Sequence, residues 1–260
     1  SDWSSDVCSS DLVVRADMAH RHHQREVRHI GHCHHQQNHW FARHRLLRCH
    51  PHRNHFQPLL HLLRRGFLIS YNQPPISMLI AQELRKKNIV EYLLYMWQVE
   101  DILRVYGCNL AKIEREYLSR FEANDEQREE IVDWYANLIT MMNKEGKREQ
   151  GHLEINHIVE MQLQELHEAL LQSTRFPFYN ATYYKTLPFI VELHNKGNRT
   201  LGEIETCLNA LYGTMMLRLQ QKHISEETQH AVKQITQMLG MLSDYYQKDK
   251  QGELKLEEDI

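Results

Sequence analysis

The sequence predicts an all-α protein: a single helical bundle of about seven helices around a central hydrophobic N-terminal helix. Three observations carry this expectation. From Ile89 to Tyr106, apolar residues occur at every helical angle. A helix built from them has no face it can turn to water, so it belongs inside. Beyond it, apolar residues recur at spacings of three and four, and residues that cap or break helices separate the runs. No alternating strand pattern follows Met78.

Residues 79–106 read as the first helix, and Gly107 suits the left-handed position that ends one. A short second helix covers 110–121. Asn124 caps the third, where Asp125, Glu126, Glu129 and Glu130 place negative charge on the positive helix end. Its inward face is Ile131, Tyr135, Leu138 and Met142. Gly146 and the charged stretch to Gln150 form a loop. The fourth helix spans 153–173 and turns Ile155, Val159, Leu163, Leu166 and Leu170 inward.

Residues 176–198 supply the fifth helix. Pro188 falls inside it, frees the carbonyl of Tyr184 and predicts a kink. Gly197 and Asn198 end it. Thr200 and Glu203 have capping-box spacing for the sixth helix, whose buried side is Leu201, Ile204, Leu208, Leu211, Met215 and Leu219. Ser225, with Glu226 and Glu227 behind it, starts the seventh, with Val232, Ile235, Leu239, Leu242 and Tyr246 inward. From Gln247 the chain turns charged and is expected to be loose. The organisation is then a bundle domain over 78–250, long enough for one full core, and a charged flexible tail over 251–260.

The two ends of the chain differ in chemistry. Residues 1–77 hold ten Arg, no Lys, five acidic residues and thirteen of the nineteen His. Residues 1–12, SDWSSDVCSSDL, resemble the conceptual translation of a sequencing adapter. That resemblance, with the lopsided composition and the lack of any steady period, marks 1–77 as an expected artefactual or disordered His- and Arg-rich extension, with Met78 the expected true start. The competing reading is a metal-binding tract, since His20, His22, His23, His32, His34, His35, His50, His52 and Cys33 would take zinc, nickel or copper. The tract lacks the fixed spacings of a folded zinc module. Arg and His interrupt every apolar run that could serve a secretion signal.

Residues 78–260 carry twelve Lys and nine Arg against twenty-nine acidic residues. An acidic body argues against nucleic acid, whose phosphates repel it. No apolar run approaches the roughly 20 residues that span a bilayer, so no membrane is expected. Only Cys108 and Cys207 fall after residue 77. Two isolated thiols make no disulfide framework, and a reducing, cytoplasmic setting fits them. There is no phosphate-cradling G-x-x-x-x-G-K-[ST], no G-x-S-x-G, no H-E-x-x-H and no His-Asp dipeptide. No catalytic residue, cofactor or metal ligand is assigned.

Two Glu-x-x-His pairs, Glu154/His157 and Glu227/His230, have the spacing used by di-metal bundles, but both lie in first turns and point off the apolar faces, so they read as solvated. Polar residues inside apolar stripes are more informative. Taking about 100° per residue, Glu100 falls between Ile89 and Leu93. Asn156, Glu160 and His167 lie beside Val159, Leu163 and Leu170. Glu205 lies between Tyr212 and Met216, and His194 sits near the inner face of the fifth helix. A carboxylate buried without a partner costs several kcal/mol, so partners are expected, with Arg104 and the domain's eleven Tyr as donors. The candidate buried polar cluster is thus Glu100, Asn156, Glu160, His167 and Glu205. Trp97, Trp134, Tyr183 and Tyr184 read as core or interface packing. Lys185 and Glu192, on the opposite face of the fifth helix, read as a solvated face.

MLIAQELRKKNIVEYLLYMWQVEDILR, GHLEINH, FPFYNATYYKTLPFIVELHNKG, EIETCLNALYG and MLSDYYQKDKQGELKL together resemble an uncharacterised bacterial family, domain of unknown function 4924, over essentially all of 78–260. The resemblance implies no activity and no site residues. The expectation is therefore a cytoplasmic bacterial helical bundle that acts by binding, either to itself as a homo-oligomer or to a protein partner. The alternative is a metal- or small-ligand-binding helical enzyme using Glu100, Glu160, His167 and Glu205.

Overall fold

The computed structural model describes residues 78–197 and 200–256. The expectations for residues 1–77 lie outside the described residues, as do those for 257–260. The described residues form eight α-helices and no strand: α1 (Met78–Lys87), α2 (Ile89–Val105), α3 (Leu110–Glu116), α4 (Asp125–Lys144), α5 (Glu154–Gln172), α6 (Pro177–Lys196), α7 (Glu203–Leu219) and α8 (Glu226–Lys250), with a 3₁₀ turn at Leu118–Arg120 after α3. The all-α bundle stands as the sequence predicts.

The long first helix is the main difference. It is two helices, broken at Asn88, whose backbone is extended and whose side chain accepts from the N–H groups of Val90 and Glu91 as the N-cap of α2. Ser243 of α8 holds the break by accepting from Ile89 N–H at 3.1 Å and donating to Asn88 Oδ1 at 3.0 Å. Only α2 is interior: it buries Ile89, Val90, Tyr92, Leu93, Met96, Trp97, Val99, Glu100, Ile102 and Leu103. In α1 only Ala81 is buried. α2 packs against α1, α5, α7 and α8. Since α5, α7 and α8 also touch one another, these four helices make the centre, and α6 lies over α5, α7 and α8. Deleting a side chain such as Leu93 from this centre costs about 2–5 kcal/mol.

Local chemistry sets the ends. Gly107 is left-handed at φ 68°, as its sequence position predicts, and Cys108 follows it at φ 54°. Cys108 N–H reaches back to the Leu103 carbonyl at 2.7 Å. Asn124 and Gln127 form a reciprocal capping box on α4. The Thr200–Glu203 box does not form: α7 starts one residue after Gly202, its N-cap, with no side-chain cap. Gln164 of α5 instead accepts from Ile204 N–H at 3.1 Å. Ile155, expected inward, is 37 % exposed, with Ile158 and Met161 beside it on the outer side of α5. α8 stays helical to Lys250, and beyond it Leu254 and Leu256 pack against the core. Among the described residues, no helix is long and apolar enough to cross a membrane.

Candidate functional site

Glu100 is fully buried on α2. One carboxylate oxygen accepts from Leu153 N–H at 2.9 Å and from the Asn156 side-chain amide at 2.7 Å. The other lies 2.7 Å from His152 Nδ1, and since a carboxylate only accepts, the imidazole donates there. Arg104, one turn further on α2, stands 3.7 Å away. The Arg104 guanidinium also donates to Asp101 at 2.9 Å, to the Lys147 carbonyl at 3.2 Å and to the Gly151 carbonyl. Glu100 and Arg104 thereby tie the loop before α5 to the central helix. His152 stacks on Trp97, with ring centroids 4.0 Å apart. Tyr212 of α7 meets Trp97 edge-on and donates to Asp101 at 2.6 Å.

Beyond this network lie Glu160 on α5 and Glu205 on α7. Glu160 is 7 % exposed, and His157 Nδ1 stands 3.9 Å from its carboxylate. Burial, then the charge of Glu205, pushes its carboxyl up to about 7. Burial also raises Glu205, opposed by His152 and His157. His157, read from sequence as solvated, is exposed but electrostatically part of this pair.

His167 stands apart. Its Nδ1 lies 2.7 Å from the Tyr179 hydroxyl and its Nε2 lies 3.2 Å from Glu203. The Nε2–H donates to the Glu203 carboxylate, while Nδ1 and the Tyr179 hydroxyl share the second hydrogen bond. Tyr183 donates to the other Glu203 oxygen at 3.2 Å. Burial works against the charge on Glu203, but the His167 hydrogen bond and charge, with Tyr183 and His194, hold its carboxyl below the usual range. Cys207 nearby is fully buried, and burial pushes its thiol far up.

The five residues picked from sequence are therefore not one cluster. Glu100 and Asn156 join directly, and Glu160 and Glu205 pair next to them. Gln164 follows, and His167 closes the far end. They mark a polar seam along α5, which faces α2 at Asn156 and α7 from Glu160 to His167 and runs about 16 Å. Sequence reasoning missed His152, which lies outside a helix and so has no helical angle to place it. It also read Glu203 as a cap. Among the described residues, no three His, Cys, Asp or Glu come together in a way that could hold a metal ion.

The surface shows a second anomaly. α6 turns Tyr179, Thr182, Tyr183, Thr186 and Ile190 inward. Its outer face is exposed at Pro177, Phe178, Ala181, Tyr184, Lys185, Pro188, Val191 and Asn195. Phe178 is 81 % exposed and Tyr184 65 %. An ordinary surface helix carries charge there.

A family described as a domain of unknown function, DUF4924, matches residues 78–253. The chain belongs to this family. The match covers every helix among the described residues, so both the seam along α5 and the α6 face lie within the DUF4924 region. No curated protein and no solved structure matches the chain.

Proposed function

We propose that this DUF4924 protein is a self-association module, and that the outer face of α6 docks against a second copy. The observation that carries the reading is the apolar face itself. Phe178, Tyr184, Pro188 and Val191 face solvent along one helix, where burying large apolar side chains against a partner stabilises by about 1.5–3 kcal/mol each. A two-fold contact brings such a face against its own copy, so no second surface is needed. The polar seam along α5 supports this by contrast, since most of its groups find partners on α2 and α7 and serve to align helices.

The test is sedimentation velocity on the full chain over a concentration series up to roughly 0.1 mM, a range that captures small, reversible interfaces. A mass that rises with concentration, and that Tyr184→Asp returns to monomer, is the expected outcome. A monomer throughout overturns the reading.

The alternative, a ligand-binding bundle, draws on Glu160, the buried carboxylate of the seam for which no hydrogen-bond donor is found among the described residues. Its test is whether a small cationic ligand shifts the titration of Glu160. A titration that no ligand moves removes it.

A further inference from the structure

Resting on the reading of the α6 face as the docking surface, we infer that two copies pair with their α6 helices antiparallel. The register sets Lys185 of each copy against Glu192 of the other.

The spacing comes first. Pro177, Ala181, Tyr184, Pro188, Val191 and Asn195 follow one another at intervals of four, three, four, three and four, and all are exposed. This is the spacing of a helix–helix seam, in which alternate residues enter the gaps of a facing helix. Ala181 and Pro188 are short and let a second backbone approach, while Tyr184 and Val191 project between them.

Charge then selects the orientation. Lys185 and Glu192 each follow a seam residue by one position, so they lie on the same flank, seven residues apart. In a parallel pair, that flank would meet the opposite flank of the second helix, whose residues are Asn180, Leu187 and His194, and Lys185 would find no carboxylate. In an antiparallel pair the same flanks meet each other. Three antiparallel registers interleave four or more of the seam residues. The middle one opposes Lys185 with its own copy, and like charges repel. The one displaced toward the helix N-termini opposes Lys185 with Phe178. The one displaced toward the C-termini opposes Lys185 with Glu192 twice over, and sets Pro188 against Val191 and Tyr184 against Asn195. Only this last register matches opposite charges. Lys196, now 2.6 Å from Glu192 along the same helix, leaves that carboxylate room to accept from a second cation.

The contact is short, about three helical turns from Tyr184 to Asn195 with Phe178 outside it, which places it at the small end of specific interfaces and makes the dimer reversible.

A charge exchange in the full chain tests this by sedimentation equilibrium. Lys185→Glu and Glu192→Lys should each weaken the dimer about tenfold, and the double variant should restore it. At a concentration low enough for the parent to be monomeric, thermal unfolding of all three should match the parent, which separates an interface effect from a folding effect. A dimer that ignores both reversals but is lost with Phe178→Ala overturns this register in favour of the N-terminal one. A dimer that ignores all three substitutions but is lost with Tyr184→Asp overturns the register and keeps the proposed docking face. A parent chain that never dimerises overturns the reading beneath both.

Discussion

The polar seam along α5 and the outer face of α6 break the same rule in opposite directions. The seam puts carboxylates and an imidazole where apolar residues belong, and α6 puts Phe178 and Tyr184 where charged residues belong. The seam largely resolves its violation inside the chain: Glu100 accepts from three groups, and His167 is bonded through both ring nitrogens. The α6 face has no resolution within the described bundle. A buried polar group with partners records how the helices are aligned, whereas an exposed apolar face without one points outward to a partner.

Four changes would break or sharpen this contrast. The largest effect belongs to Glu100→Ala, which strands the Leu153 N–H and the Asn156 amide in the interior and removes a charge beside Arg104. Urea unfolding should show a loss of about 3–5 kcal/mol. A loss below about 1 kcal/mol would mean the network does not hold the loop before α5 to α2.

Glu160→Gln should act in the other direction. Folded, Glu160 holds its proton up to about pH 7, while a carboxyl of the unfolded chain releases it near 4.5. The folded state therefore binds more protons between these values, and stability falls as pH rises from about 4.5 to about 7. Glutamine removes the penalty. The variant should match the parent near pH 4 and exceed it by up to about 3 kcal/mol at pH 8. If unfolding curves instead show the variant weaker at pH 8, the charged carboxylate is wanted, and the ligand-binding alternative gains.

His167→Phe keeps the ring volume but leaves the buried Tyr179 hydroxyl without its imidazole partner. The expected cost is about 1–3 kcal/mol. The Glu203 carboxyl, losing its main stabilising neighbour, should titrate higher, which carboxyl-carbon NMR can follow. An unmoved Glu203 would show that Tyr183 and His194 suffice.

The smallest effect on folding belongs to Tyr184→Asp. On an exposed helix face it should change stability by less than about 0.5 kcal/mol while abolishing association. A stability loss as large as that of His167→Phe would make Tyr184 part of the core rather than of a docking face.

The contrast was half visible in the sequence. Helical angles alone put Glu100, Asn156, Glu160, His167 and Glu205 on buried stripes; the first four are buried, and Glu205 is half-buried near the start of α7. The angles could not show that these residues string out along a seam, because distance between residues on different helices depends on how the helices cross. The same limit hid the α6 face. Lys185 and Glu192 could be placed on the outer side, but the exposure of Phe178 and Tyr184 beside them depends on which side of α6 the other helices cover.

By itself, the sequence determined the all-α class, the interior position of the 89–105 segment, the left-handed turn at Gly107, and the caps at Asn124 and Ser225. These follow from periodicity and from hydrogen bonds spanning a few residues, which each segment carries within itself. The tertiary structure decided what crosses the chain. Ser243, 155 residues from Asn88, splits the first helix in two. His152 reaches Glu100 across 52 positions, and Glu203 turns from a helix cap into the partner of His167. Each of these needs a donor and an acceptor brought together by the packing of whole helices, and no local pattern encodes that packing.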